Sequence, residues 1–207
     1  VFTSMFNPED GRKNWEDIVT AFCWAFRDDP QKTLVLKFTC PSMASSWGRL
    51  FMLFSQLNPF SCRVVVIHGF LTNEEMQALV SVTDYFVNAS KAEGQCLPLL
   101  EFMAEGVPAI APCHTAMASY INPENAFVVD SSIVATCWPQ DPREYERCFF
   151  YRIDWESLRN CYLDSADVDE KTYGEMSFNA AKLVREKYSL LTVGELLRNY
   201  LVQFENR

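Results

Sequence analysis

The sequence predicts an α/β fold in which one parallel sheet is wound by helices on both faces, with extra helices at the C-terminus. Over the first two-thirds of the chain, short β-rich runs alternate with helix-length amphipathic segments, as in strand–helix–strand units. The last third is predicted to contain an ordered loop followed by helices, with no strand among them. Hydrophobic residues make up 49% of the 207 residues, and no repeat or flexible linker divides the chain. We therefore expect one domain over residues 1–207.

The strands are predicted from short β-rich runs that turn-forming residues separate. Each run is followed by a segment long enough for a helix, so consecutive strands should run parallel. The predicted strands are Val1–Phe6, Thr33–Phe38, Arg63–Ile67, Tyr85–Asn88, Pro108–Ala111 and Phe127–Val129.

The helices are predicted from apolar residues at helical spacing, such as Trp15, Ile18 and Phe22. The helix that begins at Leu97 has a proline in its first turn, where a missing N–H costs little, and Gly106 as its C-terminal cap. The predicted helices between strands are Asn14–Arg27, Trp47–Leu57, Glu74–Val82 and Leu97–Glu105.

The C-terminal third begins with a change of pattern. Trp138–Pro142 interrupts any regular spacing, so we predict an ordered loop from Asp130 to Asp154. Helices are expected after it, and they must pack on the sheet or reach across to a neighbour. They are Trp155–Leu163, Glu170–Lys187 and Thr192–Phe204.

Composition excludes several classes of protein. The net charge of -9 argues against a nucleic-acid-binding surface. The eight cysteines are widely spaced without a Cys-x-x-Cys pair, which favours reduced thiols in a cytoplasmic protein over disulfides or zinc. No apolar run reaches the roughly 18–20 residues that span a bilayer, so we expect no transmembrane segment. The chain starts at Val1 within a predicted strand, and we expect it to be a fragment of a longer protein.

Two adjacent cations, Arg12 and Lys13, follow the first predicted strand. Ligands of open parallel sheets bind outside the carboxyl ends of the strands, so residues in these loops are the first candidates for a site. A guanidinium fork beside a compact ammonium suits a pyrophosphate. The alternative is a solvated basic pair at the start of a helix.

The loop after the fourth predicted strand, Ser90–Glu101, is the second candidate. Gly94 permits close approach of a ligand, and an anion could bind at the start of the following helix on the backbone amides of Gln95, Cys96 and Leu97. Glu93 lies before that helix and Glu101 one turn inside it, so both carboxylates could face one cleft. The alternative is that they are ordinary acids near a helix start.

Two further loops complete the candidate cleft. The turn His68–Thr72, which contains Phe70 and Leu71, could seat a base or a ribose edge. His114 follows the fifth predicted strand, but a lone histidine there is more often a structural hydrogen-bonding group than a catalyst. Motifs for dinucleotide binding, phosphate loops, zinc proteases, serine hydrolases and Asp-x-Asp metal sites are all absent from the sequence, and we expect neither a metal nor a cofactor.

A longer motif is more specific than these single residues. It runs Ser90-x-x-Glu93-Gly94-x-x-Leu97-x-Leu99-Leu100-Glu101-x-Met103-Ala104-x-Gly106-Val107-Pro108. This string resembles the C-terminal donor-binding domain of retaining glycosyltransferases of family 4, in the glycosyltransferase group 1 superfamily with the GT-B fold. Glu93 and Glu101 match that family's pair of glutamates separated by seven residues. Arg12-Lys13-Asn14, and Gly69 with Glu74-Glu75, resemble its other conserved segments, so the similarity spans roughly residues 1–130.

The resemblance implies a Rossmann-like domain and a role for each matching residue. Arg12 and Lys13 would neutralise the donor diphosphate in place of a metal, and Glu93 would contact the transferred sugar. Glu101 would bind the ribose hydroxyls. The remaining contacts would be with phosphate through the amides of Gln95, Cys96 and Leu97, and with the base through Phe70 and Leu71.

The first hypothesis is therefore retaining transfer of a sugar from a UDP- or GDP-sugar to a hydroxyl acceptor, in polysaccharide or glycolipid assembly. The acceptor would be bound by an N-terminal domain outside this chain, any contact with a membrane would be peripheral, and the chain alone would turn over poorly. The family's usual aromatic-Gly pair is replaced by Gln95-Cys96. This departure motivates the alternative of a noncatalytic nucleotide-sugar-binding or scaffolding module. A flavodoxin-like binding domain is a third hypothesis.

Overall fold

The computed structural model describes residues 1–40, 44–137, 143, 145 and 147–205. Six strands and four helices alternate through the first part of the described chain. The strands are β1 Phe2–Phe6, β2 Thr33–Phe38, β3 Arg63–His68, β4 Tyr85–Val87, β5 Ala109–Pro112 and β6 Ala126–Val129. The helices between them are α1 Trp15–Ala25, α2 Ala44–Leu57, α3 Asn73–Ser81 and α4 Leu97–Ala104.

The six strands form one parallel sheet in the order β3-β2-β1-β4-β5-β6. β1 lies in the centre, where Phe2 pairs with Leu34 of β2 on one side and with Tyr85 of β4 on the other. This is the strand order of a Rossmann fold, in which the direction of winding reverses between β1 and β4. A crevice therefore opens at the carboxyl ends of these two strands.

Both faces of the sheet are buried. Successive side chains of a strand point to opposite sides, so each strand contributes residues to both cores. In β2, Leu34 and Leu36 belong to a core shared with α1 and α2, whereas Val35 belongs to the core on the other face, shared with α3 and α4. The C-terminal helices α5 Trp155–Ala166 and α6 Glu170–Tyr188 cover one face each. The predicted arrangement, a parallel sheet wound on both faces with extra C-terminal helices, is confirmed.

The last helix, α7 Leu190–Glu205, contacts α6. Its apolar side chains are largely exposed, Leu190 by 89% and Leu197 by 56%. The C-terminal helices were expected either to pack on the sheet or to reach across to a neighbour. Helices α5 and α6 pack on the sheet.

The start and end of α4 depend on two residues with left-handed backbone. Cys96 precedes the helix at φ 57° and Gly106 follows it at φ 84°. After the helix, the N–H of Gly106 donates to Met103 O at 3.0 Å and that of Val107 to Phe102 O at 3.0 Å, the paired bonds of a Schellman motif. This confirms Gly106 as the predicted C-terminal cap. The two left-handed residues set where α4 begins and where it ends.

The prediction of a loop from Asp130 to Asp154 is wrong. The segment contains an antiparallel hairpin of β7 Ser131–Cys137 and β8 Arg147–Ile153, in which Ser131 faces Ile153. The prediction gave most weight to Trp138–Pro142, which lies outside the described residues. The flanking runs, SSIVATC and RCFFYRI, are rich in the residues that favour strands. Pairing between two runs that do not follow each other directly in the chain leaves no short-range signal in the sequence.

Most of the described cysteines are buried, as expected from their place in apolar runs. Cys23, Cys40, Cys62, Cys96 and Cys161 are buried and free, and Cys113 is exposed and free. The neighbouring thiol of Cys62, together with burial, raises the pKa of Cys23. Most of these side chains act as small apolar groups of the two cores.

Candidate functional site

The candidate site lies where the winding of the sheet reverses. Arg12 and Lys13 belong to a 3-10 turn, Gly11–Lys13, that follows β1, and Glu93 lies in the loop that follows β4. β1 and β4 are hydrogen-bonded neighbours, so these two loops leave the same edge of the sheet side by side. The position is the one at which open α/β sheets bind their ligands.

A buried ion cluster joins the two loops. The Glu93 carboxylate accepts hydrogen bonds from Arg12 Nη1 at 2.9 Å and from Lys13 Nζ at 2.6 Å, one on each oxygen. The Glu93 side chain is only 4% exposed, against 39% for Arg12 and 18% for Lys13. The charged ends of both cations are therefore turned to Glu93, and both side chains keep part of their surface exposed.

Backbone contacts hold the cluster in place. The Asp10 carboxylate caps the 3-10 turn by accepting from the Arg12 N–H at 3.0 Å, and it also accepts from Arg12 Nη2 at 2.9 Å. The N–H of Lys91 donates to the Arg12 carbonyl at 2.8 Å, and Arg12 Nη1 donates to the Ala92 carbonyl. The two loops are thus tied together at main-chain level.

The electrostatics favour an ionised Glu93. Burial alone would raise its pKa, but hydrogen bonds from Lys13, Ser90 and Arg12 outweigh that effect, so the pKa lies below the usual value for glutamate. Burial likewise opposes the charge of Arg12, and contact with Glu93 and Asp10 overcomes it and raises the pKa of Arg12. Both shifts favour the charged forms of Glu93 and Arg12 near neutral pH.

The start of α4 faces the same crevice. Within the described part of the chain, the backbone N–H groups of Gln95, Cys96 and Leu97 donate to no other residue. Gly94 and Leu97 are exposed, and Gln95 is held by its carbonyl, which accepts from the Tyr120 hydroxyl at 2.5 Å. Free amides at a helix start are what an anion binds.

Cys96 departs from that open surface. It is 8% exposed, its thiol accepts from Asn88 Nδ2 at 2.9 Å, and burial raises the pKa of the thiol to about 11. Asn88 also donates to Glu93 Oε1 at 3.4 Å, so it bridges the loop to the ion cluster. Sequence analysis placed Asn88 at the end of a strand and gave it no role.

Glu101, Phe70 and Leu71 lie away from the cluster. Glu101 is exposed on α4 and lines a cavity of about 910 Å³ between α3, α4 and α6. Phe70 is fully exposed, and Leu71 is half-buried against the core on the α4 face. The structure brings Arg12, Lys13 and Glu93 together, whereas a shared ligand for Glu93 and Glu101 stays a prediction.

The β7–β8 hairpin reaches this site, which sequence analysis missed because it predicted a loop there. Tyr151 of β8 stacks on the His114 ring with the centroids 4.1 Å apart and the planes at 10°. Its N–H donates to the Lys91 carbonyl at 2.8 Å. Thr115, beside His114, accepts a hydrogen bond from the Glu93 N–H at 3.1 Å. The hairpin and the loop after β5 therefore form the far wall of the crevice.

Two searches of the described residues give negative results. They contain no group of three or more His, Cys, Asp or Glu side chains placed to hold a metal ion. None of their helices combines the length and apolar character needed to cross a membrane.

Comparison with protein families gives one match. Residues 48–137 match the family "Glycosyl transferases group 1". The matched segment contains Glu93, Glu101 and the start of α4. A search of curated protein sequences gives no significant match.

Solved structures share the fold along nearly the whole chain. The C-terminal domain of a glycosyl transferase group 1 family protein from Francisella tularensis has a TM-score of 0.65 at 21% identity, over 91% of this chain and 86% of that one. Sucrose-phosphate synthase from Thermosynechococcus elongatus has a TM-score of 0.69 at 22% identity, over 98% and 46%. Anabaena HepE, solved with UDP-glucose, has a TM-score of 0.66 at 15% identity, over 98% and 48%.

At these identities the matches establish the fold, which is the Rossmann-like fold of GT-B glycosyltransferases. The chain spans about half the length of the synthase and of HepE, and most of the Francisella domain. The group 1 match and the fold agree with the broad part of the resemblance drawn from the sequence. Family 4, retention and the roles of single residues stay predictions.

Proposed function

We propose that this chain is the donor-binding domain of a glycosyltransferase, and that it binds a nucleoside-diphosphate sugar at the crevice between β1 and β4. The observation that carries the proposal is the cluster of Arg12, Lys13 and Glu93 at that crevice. Beside it lie the free amides that start α4. Together they offer two cations and a positive helix end to a diphosphate, and a carboxylate to sugar hydroxyls.

Arg12 and Lys13 supply the main electrostatic work. When the sugar is transferred, negative charge develops on the departing nucleoside diphosphate, and fixed cations stabilise it. Glu93 holds both cations in position before the ligand arrives, so little reorganisation is needed at binding. The two cations take the role that a divalent metal has in other transferases, and we infer transfer without metal or cofactor.

Glu93 is the candidate for contact with the transferred sugar. Its low pKa keeps it ionised, and a carboxylate accepts hydrogen bonds from sugar hydroxyls. Oε2 bonds to Arg12 and retains a further lone pair for a ligand, whereas Oε1 accepts from both Lys13 and Asn88. Glu101 and the Phe70–Leu71 turn would contact the ribose and the base.

The finer assignments rest on the resemblance of the motif to family 4. They are retention of anomeric configuration, a UDP- or GDP-linked sugar and a hydroxyl acceptor in polysaccharide or glycolipid assembly. HepE supports a UDP-sugar because its structure holds UDP-glucose. A separate N-terminal domain would bind the acceptor, since this chain spans about half of HepE. We place the protein in the cytoplasm on its cysteine usage.

One observation favours the alternative of a noncatalytic nucleotide-sugar-binding module. Cys96 adopts the left-handed conformation at φ 57°, where the family's motif has glycine, and its side chain is buried against Asn88. A side chain at this position limits how closely a phosphate can approach the backbone. Such a module would bind the nucleotide sugar without transferring it.

Ligand-induced thermal shift tests the proposal directly. Selective binding to the folded state raises the melting temperature, so UDP, GDP, UDP-glucose and GDP-mannose should stabilise the wild type, with one base preferred. Arg12→Ala combined with Lys13→Ala should abolish the shift. Lys171→Ala combined with Arg198→Ala removes two cations outside the crevice and should leave it intact. If the Arg12 and Lys13 variant keeps the shift, the phosphate assignment is wrong.

Release of nucleoside diphosphate distinguishes the enzyme from the binding module. The protein is assayed with the N-terminal domain present and with the sugar donor that binds. The enzyme should release diphosphate, and Glu93→Ala should lower the rate by at least ~100-fold. Glu74→Ala, an exposed acid on α3, is the control and should not change the rate. Tight binding without release identifies the noncatalytic module.

A further inference from the structure

His114 is buried beside the candidate site with one ring nitrogen unused. The residue is 3% exposed, and its Nε2 has no hydrogen-bond partner among the described residues. Buried polar atoms without a partner are rare in folded proteins, and each one calls for a physical reason. The contacts with the nucleotide sugar that are proposed above do not use this atom.

The hydrogen bonds around Thr115 fix which ring nitrogen carries the proton. The Thr115 hydroxyl donates its only hydrogen to the His114 carbonyl at 2.7 Å and accepts from the Glu93 N–H at 3.1 Å. It faces His114 Nδ1 at 3.3 Å with one lone pair left. Nδ1 must therefore be the donor of that bond. In a neutral ring, Nε2 is then a bare acceptor.

The ring is neutral in the free protein. Burial lowers the pKa of His114, and a hydrogen bond with its own backbone and the nearby charge of Glu93 offset this only in part. A neutral imidazole with the hydrogen on Nδ1 has a single remaining function, which is to accept a hydrogen bond at Nε2. It excludes an acceptor group such as a phosphate oxygen from that position.

The surroundings indicate what kind of donor could reach Nε2. Thr115 connects the His114 ring to the backbone of Glu93, whose carboxylate is the proposed contact of the transferred sugar. The Tyr151 ring stacks on the His114 ring and is itself half-buried. An aromatic ring beside hydrogen-bonding groups is a surface that suits a sugar, which presents C–H faces and hydroxyl edges.

We propose that His114 Nε2 accepts a hydrogen bond from a hydroxyl group of the transferred sugar, and that Tyr151 positions the imidazole by stacking on it. The inference rests on the proposed function and extends it, because it assigns a sugar contact outside the motif of paired glutamates. It also gives the β7–β8 hairpin a role. Since Nε2 is covered in the free protein, the groups around it must shift when the sugar binds.

Calorimetry separates the sugar contact from a structural role. The probes are the nucleotide sugar that the wild type binds and its own nucleoside diphosphate. His114→Phe keeps a flat ring for Tyr151 but has no acceptor. It should weaken binding of the nucleotide sugar roughly tenfold and leave binding of the diphosphate unchanged, since one hydrogen bond is lost. His114→Gln, which places a carbonyl oxygen near the Nε2 position, should recover part of the affinity.

Each other outcome overturns the inference in a recognisable way. Equal weakening of both ligands means that His114 only supports the fold of the site. Unchanged binding of both means that Nε2 meets a buried water or nothing. If the wild type binds neither, the proposed function itself fails.

Nitrogen-15 NMR of the histidine side chains tests the same contact without a variant. The chain has two histidines, so the His114 signals can be assigned by comparison with His68→Gln. The free protein should show hydrogen on Nδ1 of His114. Adding the nucleotide sugar should shift the Nε2 resonance, and adding the diphosphate should not. A hydrogen on Nε2 in the free protein would refute the proposal.

Discussion

The two sides of the crevice differ in how much of their structure is set before a ligand arrives. On the β1–β4 side, Arg12, Lys13 and Glu93 are bonded to one another, and the carboxylate is almost completely buried. On the α3–α4 side, Phe70 is fully exposed, and Glu101 has no ion pair with a described residue. Under the proposed function, the first side would meet phosphate and sugar already preorganised, whereas the second would be organised by the nucleoside.

This contrast has an energetic consequence. A preorganised charge cluster binds its ligand without ordering side chains, but it makes the fold depend on the same residues. Exposed residues can be removed with little effect on the fold and act on binding alone. Variants of the charge cluster should therefore lower both stability and affinity, whereas variants of the exposed residues should lower affinity alone.

The largest effect is expected when both cations are removed. Arg12→Ala combined with Lys13→Ala leaves Glu93 buried without a counter-charge, which should lower the free energy of unfolding by about 3 kcal/mol. Urea denaturation measures the change. Adding Glu93→Gln removes the buried charge and should restore most of the stability, while nucleotide binding stays lost. A triple variant no more stable than the double variant would show that burial of the Glu93 charge is not the cause.

The second effect is a dependence of stability on pH through Glu93. Its pKa in the folded protein lies below the value of 4.5 for a free glutamate. A group with a lowered pKa contributes stability that is complete above its unfolded pKa and is lost as the pH falls through the folded pKa. The wild type should therefore exceed Glu93→Gln in stability near neutrality, and the difference should shrink below about pH 4.5.

Urea denaturation of the two proteins between pH 7 and pH 3 measures this difference. Glu101→Gln serves as the control, because its carboxylate is exposed and its curve should follow that of the wild type. A difference between wild type and Glu93→Gln that stays constant down to pH 3 would mean that the cations do not lower the pKa of Glu93.

What the sequence could predict follows the same division. Local signals were enough for the six parallel strands and for Gly106, whose left-handed backbone only glycine adopts easily. They were also enough to place Arg12 and Glu93 at one edge, because strand ends in a parallel sheet share an edge. The direct ion pair between them could not be predicted, since it depends on which strands are neighbours.

The hairpin was missed for a related reason. Its strands are not joined by a two-residue hairpin motif such as Asn-Gly, and the contact of Tyr151 with His114 joins residues 37 positions apart in the chain. Sequence patterns report on local periodicity and do not show which side chains distant in the chain come into contact. The same limit applies to Asn88, whose amide reaches both Glu93 and Cys96 only in the folded loop.

A third, smaller effect concerns the hairpin that closes the preorganised side. Tyr151→Ala removes the ring that stacks on His114 and should lower the free energy of unfolding by about 1 kcal/mol. Phe149, on the same strand, is 63% exposed and is the matched control. Thermal and urea unfolding should show no change beyond about 0.5 kcal/mol for Phe149→Ala. Equal losses in both variants would mean that the hairpin as a whole, and not the ring contact, supports the site.

The smallest effect on stability is expected on the α3–α4 side. Glu101→Gln should change the free energy of unfolding by less than about 0.5 kcal/mol, because the side chain is exposed. If this carboxylate holds the ribose, calorimetry should nevertheless show roughly tenfold weaker binding of the nucleoside diphosphate, since a charged hydrogen bond is lost. Glu105→Gln, an exposed acid that directly follows α4, should change neither quantity. Glu101→Gln could instead lower stability as much as Arg12→Ala combined with Lys13→Ala does. That result would show that the α3–α4 side is also fixed before the ligand binds, and the distinction between the two sides would be lost.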